Sequence, residues 1–503
     1  MPFVFLMQSS ALPSLAKPEI VWIAIAYFLV CAGIAVWASR RTKTANDFFV
    51  AGQGIGLWTL AIAAMAATLS GFAFIGGPGL VFSLGTGALF LVLPASITNS
   101  LGAWVLAKRM RMLGEIRGLM TVPDAIGARY RSPAAQGLSA VAILVATVGY
   151  MATNLLALGL VVDAIFGIGL ERAIWLGMFV VLAYSAAGGI LAGIYTDLFQ
   201  GALMAAASVM VFAGALASGG GMGGLTRTIL AAEPGWFGPW GKMPAIAALS
   251  FFFVFGLGSL GQPHVVHKFY MLKDPRKLKW YPLLMTAALV LALLLYFGVG
   301  VAMKAAVLRG DVPPLGSPDD ATPAFLFRYA SPLLAGLVFS GVAAAIMSTV
   351  NSFMSIGAAA ITHDLPVAFG RRLGNELLIG RLSTALLAVL AAGLALASGQ
   401  LVALLGVFGW GLFSSTLVPA LALGLNWRGA TKAGAIASIA TGLVLTLIAE
   451  TAVWLKVWSL PTGVTASGLA LISSLLVFFF VSWLTRAQAA GDLDPDIRLV
   501  MEA

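Results

Sequence analysis

Charge is scarce in this chain. Asp, Glu, Lys and Arg make up only 10% of its 503 residues, against roughly 25% in soluble domains. That excludes a soluble globular protein. Cysteine is almost absent. The single thiol, Cys31, lies inside the first apolar run and excludes an intrachain disulfide. Three histidines, His264, His267 and His363, are too few and too scattered for a metal-ligand pattern. Enzyme motifs are missing as well. Gly219–Gly221 stands outside any Walker or dinucleotide context. There is no nucleophile elbow, and no serine has an obvious partner base. The start, MPFVFLMQSSALPSLAKPE, lacks the basic region of a signal peptide, so the first membrane helix is expected to direct insertion. These absences predict a protein that is not an enzyme and carries no organic cofactor or transition metal.

What is present is hydrocarbon. Hydrophobic residues make up 60% of the chain and the mean hydropathy is +0.99. Counting about 20 apolar residues per crossing gives about thirteen spans. They fall near 20–39, 57–82, 86–107, 134–166, 173–195, 197–218, 244–266, 281–307, 324–362, 377–398, 400–425, 432–453 and 464–485. The run 324–362 is too long for one crossing. Pro332 divides it into a short helix to about Tyr329 and a membrane helix from about Leu333. The net charge of +10 is distributed by topology. Arg40, Arg41 and Lys43 follow the first span, and Lys108, Arg109, Arg111, Arg117, Arg129 and Arg131 the third. Lys268, Lys273, Arg276, Lys277 and Lys279 follow the seventh. Arg371 and Arg372, Arg428 and Lys432, and Arg486 and Arg498 continue the alternation. The opposite loop 308–323 carries Asp311, Asp319 and Asp320. The positive-inside rule then places the N-terminus outside and the C-terminus in the cytoplasm, in a multi-pass protein of the cell (inner) membrane. The basic balance is membrane topology and excludes a nucleic-acid partner.

One stretch organises the rest: Leu57–Phe82, LWTLAIAAMAATLSGFAFIGGPGLVF. Its first part is a plain membrane helix. Ser70-Gly71 and then Gly76-Gly77-Pro78-Gly79 interrupt it. Freed backbone groups are tolerated at membrane depth only where protein or a water-filled cavity satisfies them. A broken helix at that depth points to a transporter's binding site, although a packing kink would leave the same residues. Gly261-Gln262-Pro263 in the seventh span echoes Gly77-Pro78. The two breaks are five spans apart and enter from opposite sides, as an inverted repeat of five helices requires. The resulting division is 1–19 outside, 20–56 first helix and cytoplasmic loop, 57–218 first repeat, 244–425 second repeat, 426–485 two further helices and 486–503 cytoplasmic tail.

Few residues here can carry chemistry. In Ala345-Ile346-Met347-Ser348-Thr349-Val350-Asn351-Ser352, positions three and four apart share a helix face. The Ala345 carbonyl and the Ser348 and Thr349 hydroxyls can therefore converge on a small hard cation, with carbonyls near Ala66 and Leu69 completing the shell. The alternative is hydroxyls bonded one turn back along their own helix. Asp197 is an intramembrane acid and hence a functional candidate. At the end of a span it would instead be a solvated residue or a helix cap. Gln262 can bind a solute or hold a freed backbone group. Phe251, Phe252, Phe253 and Phe255 can line a pocket or face lipid.

Together these segments resemble the sodium:solute symporter family. Asp47-Phe48-Phe49-Val50-Ala51-Gly52 is similar to its DFxxAGR loop, with Gln53 in place of the arginine. Ser70-Gly71 through Gly77-Pro78-Gly79 resembles its broken helix. Gly188-Gly189 to Asp197 and Gln200 resembles its GG…TDxxQ segment. Gly261-Gln262-Pro263-His264, Ala344 to Thr349 and Ile361-Thr362-His363-Asp364-Leu365 complete the set. The nearest branch is the sodium/proline symporters. The resemblance implies an all-α, LeuT-like fold: one helix, then two inverted five-helix repeats. It implies a sodium ion held by the carbonyls of Ala66, Leu69 and Ala345 and the hydroxyls of Ser348 and Thr349. A second sodium site would draw on Asp197, Ser348, Asn351 and Ser352. Solute would lie among Thr68, Ser70, Tyr150, Phe255, Ser259, Gln262 and Pro263. The proline branch has an aspartate where Thr68 stands, and a tryptophan and a tyrosine where Phe255 and Ser259 stand. Those departures widen the expected solute to a small amino acid or organic acid. The expected activity is sodium-coupled symport of that solute by alternating access. A transporter-like solute sensor and a proton-coupled carrier on the same fold are the alternatives. The sequence sets no oligomeric state.

Overall fold

The computed structural model describes residues 17–41, 55–68, 70–371, 373–399, 402–460, 464–489 and 493–502. The Asp47–Gly52 motif, Gln53 and Leu69 lie outside the described residues, as does the Thr68 side chain.

Helix α1 (Pro18–Ser39) opens on proline, which lacks an N–H where a helix start would leave one unbonded. Its 22 residues give roughly 33 Å, enough for one crossing. Helix α2 (Leu57–Thr68) stops before Ser70. The chain then winds through a wide turn at Phe72–Gly76 and resumes as α3 (Gly77–Leu84). Helices α4 (Leu89–Gly102), α5 (Pro133–Phe166) and α6 (Leu170–Ala217) complete the first half. In the second half, α7 (Ala245–Gly258) ends in a tight turn at Ser259–Gly261 and a short helix at Pro263–Val266. Helices α8 (Tyr281–Arg309), α9 (Ala321–Tyr329), α10 (Pro332–Ala359), α11 (Glu376–Ser398) and α12 (Val402–Leu417) follow. Helices α13 (Lys432–Trp454), α14 (Ala466–Ala489) and the short α15 (Pro495–Glu502) close the chain.

Among the described residues, 11 helices are long and apolar enough to cross a membrane. The expected thirteen are not reproduced. The spans expected near 173–195 and 197–218 merge into α6, 48 residues without a break. Straight, it would measure roughly 72 Å, more than twice a hydrocarbon core of about 30 Å. No proline or charged pair marks an end between those two apolar runs, so nothing stops the helix. The division at Pro332 does occur: α9 ends at Tyr329 and α10 starts at Pro332, capped by the Ser331 hydroxyl.

Helix α10 is the centre. Every residue from Val338 to Ala359 is buried, the mark of a helix enclosed on all sides. It packs along α6 and against α1, α2, α5 and α11. Helices α13 and α14 pack mainly on each other and on α12. Their outer faces leave Val444, Ile448, Leu476, Phe480 and Trp483 exposed, as a lipid-facing surface requires.

Contacts close the middle from both ends. On the acidic side, the Thr322 hydroxyl donates to the Phe74 carbonyl at 2.8 Å, and the Val402 N–H donates to Asp319 at 2.8 Å. On the basic side, Ile55 and the segment after the second break exchange two backbone bonds, to Met271 O at 3.0 Å and from Lys273 N at 2.9 Å.

The last helix is docked. Asp494 pairs with Arg117 and Arg131, Asp496 with Arg117, and Glu502 with Arg428. Beneath them Ile497 and Val500 are fully buried. Burial alone would raise the Asp494 carboxyl, but hydrogen bonds from Arg117 and Arg131 bring it down to about 2. A depressed carboxyl stabilises the docked form above its unfolded value of about 3.9. That contribution disappears as pH falls toward 2. Acidification from pH 5 to 3 should therefore lower the protection of the α15 amides relative to their intrinsic exchange rate at each pH. Asp494→Asn should show the lowered protection already at pH 7, measured by hydrogen–deuterium exchange.

Candidate functional site

The first break frees backbone groups, and α5 supplies their partner. The Gly71 N–H donates to the Asn154 side-chain carbonyl at 2.9 Å, and the Asn154 amide donates back to Tyr150 O at 2.9 Å. Two glycines are required by contact here. A Cβ on Gly71 would lie 2.5 Å from the Ala157 methyl, and one on Gly77 would fall 1.8 Å from the Tyr296 ring. At the second break, Gln262 Nε2 donates to the carbonyls of Gly258 and Trp410, at 3.0 and 3.4 Å. Gln262 thus holds a freed carbonyl, while its own Oε1 has no partner among the described residues. The Ser259 hydroxyl is turned back to Gly256 O at 2.9 Å.

Between the breaks lies a cluster of packed aromatic rings. Phe255 stacks on Phe72 and on Trp410, with ring centroids 5.6 and 5.3 Å apart. Tyr150 touches Trp410, His264 and Phe353, and its hydroxyl lies 3.4 Å from that of Ser70. Both His264 ring nitrogens are buried without a partner among the described residues. Pro263 is buried beside them. Phe252 and Phe253 turn outward, 44% and 49% exposed, so only part of the phenylalanine run joins the cluster. Among the described residues, the side chains of the cluster carry no formal charge.

The oxygen-rich stretch of α10 faces α2 and α6. Ala66, Ala345, Ser348, Thr349 and Asn351 have no exposed surface, and Ser352 has almost none. Thr349 donates to Ala345 O at 3.0 Å. The Ser348 hydroxyl stands against the Asp197 carboxylate, and both Asn351 amide atoms lack a partner among the described residues. Buried oxygens gathered on one helix beside a broken helix suit a bound cation.

Two expectations need correction. Asp197 is neither a cap nor a solvated end. It sits within uninterrupted α6 and is 1% exposed, because α10 covers it. Lys268 is not part of an exposed basic loop. It is 1% exposed, and its ammonium donates to Asp197 and to the Ala63 carbonyl, both at 3.1 Å. The turn at Ser259–Pro263 sends the following segment back into the protein, carrying Lys268 with it. Arg111 and Arg129 are also buried, holding the carbonyls of Leu272 and of Gly424, Trp427 and Ala430. Asn154, Phe72, Trp410, Phe353 and Lys268 were not singled out by the sequence. Only Lys268 left a signal there, five residues beyond Pro263.

Two interrupted helices converging around buried oxygens and a cluster of aromatic rings are the arrangement of a secondary carrier. The profile of the Sodium:solute symporter family matches residues 48–442. The chain belongs to the sodium:solute symporter family and is a sodium-coupled symporter with a LeuT-like fold. It is 30% identical to the osmoregulated proline transporter OpuE of Bacillus subtilis (strain 168), over 92% of this chain and 94% of that one. It is 28% identical to the sodium/pantothenate symporter of Escherichia coli (strain K12), over 86% and 91%. Among solved structures, a Na+-coupled sialic acid symporter in a substrate-bound outward-open state superposes with a TM-score of 0.75 at 18% identity. That match covers 93% of this chain and 98% of the other. The nucleobase-cation-symport-1 transporter MHP1 superposes with a TM-score of 0.53 at 16% identity, over 90% and 98%.

Removing the acceptor for Gly71 leaves a buried N–H unpaired, at a cost of about 1–3 kcal/mol. Asn154→Ala should lower the unfolding temperature in detergent, and Asn154→Asp, which keeps the acceptor, should lower it less.

Proposed function

We propose that the coupling sodium binds between α2 and α10. Its ligands are the carbonyls of Ala66, Leu69 and Ala345 and the hydroxyls of Ser348 and Thr349. The observation that carries this reading is the fully buried set Ala345, Ser348 and Thr349, three and four residues apart on the helix that packs against α2. Sodium there links the two helices in the outward-facing form. Its differential affinity for the two facing states drives the exchange between them.

Solute binds next to the ion, beside Thr68 and Ser70 on one break and Phe255, Ser259, Gln262 and Pro263 on the other, with Tyr150 in the aromatic cluster. The uncharged aromatic rings suit a small amino acid or organic acid whose charges are met by helix ends and by sodium. Proline is the reference solute, as OpuE is named a proline transporter. Thr68, Phe255 and Ser259 argue for a different ring or chain from proline's. The repeats are 57–218 and 244–425. The basic loops place the C-terminus in the cytoplasm, so the carrier imports its solute into the cell across the inner membrane.

Uptake into proteoliposomes tests the ion site. Wild type should require an inward sodium gradient. Ser348→Ala and Thr349→Ala should each raise the half-saturating sodium concentration about tenfold or more, a loss of about 1.4 kcal/mol per ligand. The double variant should show no sodium-dependent uptake while keeping its unfolding temperature in potassium. Normal sodium affinity in the double variant would overturn the assignment. Competition by a panel of unlabelled amino acids and small carboxylates identifies the solute. Phe255→Ala should weaken solute affinity without changing that for sodium.

A further inference from the structure

We infer that Lys268 is a tethered cation standing in the second ion position, so that this carrier binds a single sodium ion per transport cycle. The inference rests on the sodium site proposed above at Ala66, Ala345, Ser348 and Thr349.

The argument begins with Asp197. A carboxylate buried among apolar helices is strongly disfavoured unless a cation meets it. Here the cation is covalent. Lys268 Nζ lies 3.1 Å from Asp197 Oδ2, and both side chains are 1% exposed. The same ammonium donates to the Ala63 carbonyl at 3.1 Å. Ala63 and Ala66 are three residues apart on α2 and share a face of that helix. The Ser348 hydroxyl stands beside Asp197 on the other side. The ammonium therefore contacts one carbonyl of α2 and one carboxylate of α6, next to the α10 serine proposed to hold sodium. A carbonyl, a carboxylate and a serine hydroxyl are a hard-cation donor set. An ammonium of three hydrogens fills it without dissociating.

Two consequences follow. The charge of Asp197 is already met, so it offers no net attraction to a second mobile cation. A further sodium beside Ser348 would also meet the repulsion of the fixed ammonium at short range in a low-dielectric site. The four residues Asp197, Ser348, Asn351 and Ser352 thus keep the oxygens of a second sodium site but lack its free negative charge. The tether also comes from the segment just beyond the second break. It joins that segment to α2 and α6 in every cycle, where a mobile ion would leave with the solute.

The test is a count of sodium ions. Equilibrium binding of radiolabelled sodium to the purified protein should saturate at one ion per wild-type chain. Lys268→Gln removes the ammonium and leaves the Asp197 carboxylate exposed to a mobile ion. It should bind two ions, with a Hill coefficient for sodium rising from 1 toward 2. Its unfolding temperature should depend on sodium, against potassium, more steeply than that of wild type. Lys268→Arg should behave as wild type, and the double variant Asp197→Asn, Lys268→Gln should return to one ion. Two ions in wild type would overturn the inference and leave the first site standing. So would a folded Lys268→Gln that still binds one ion with an unchanged sodium response. If Lys268→Gln does not fold, the double variant decides: one ion supports the tethered cation, and two overturn it. No sodium bound to wild type would refute the first site instead, and is thereby distinguishable.

Discussion

No water reaches the hydrocarbon core, so each backbone N–H and C=O there must find its partner within the protein. The two helix breaks violate the simplest solution to that constraint, and the rest of the molecule makes them tolerable. Asn154 takes the Gly71 N–H, Gln262 takes the Gly258 carbonyl, and Thr322 reaches the Phe74 carbonyl from outside. The glycines at 71 and 77 let α5 and α8 come close enough to cover the break. What is left over is a small set of aimed oxygens, which is what a dehydrated cation needs.

Buried charge obeys the same logic at higher stakes. Truncating one partner of a buried pair typically costs about 3–5 kcal/mol, because the other charge is left alone. The Asp197–Lys268 pair lies where α2, α6 and α10 meet the segment beyond the second break. It connects the two broken-helix regions near the point where the basic side is closed by Ile55 and Lys273. Ion binding and closure of that side therefore share the same helices, and a change at one is felt at the other through contact rather than at a distance.

The sequence made the breaks legible because glycine and proline interrupt apolar runs that are otherwise uniform. Ser70-Gly71, Gly76 to Gly79 and Gly261 to Pro263 all mark real discontinuities, and Pro332 marks the start of α10. The merged helix α6 was not legible, since two apolar runs joined by Gly188-Gly189 and Thr196-Asp197 carry the composition of two spans and the backbone of one. Asp197 and Lys268 were misplaced for a related reason. Charge near the end of an apolar run reads as an interface residue, and only the tertiary fold shows that a turn carries Lys268 back inside. The partners Asn154 and Trp410 come from distant helices and leave no local pattern.

The central claim is that sodium itself, and no other monovalent cation, completes the site between α2 and α10. A ligand that binds only the folded state raises the apparent stability by mass action. The most direct test is thermal unfolding of the purified full-length protein in sodium chloride against potassium chloride at equal ionic strength. The account predicts a higher unfolding temperature in sodium that rises with concentration, and rises further when transported solute is added. Identical unfolding curves in the two salts at all concentrations, with solute present or absent, would contradict it.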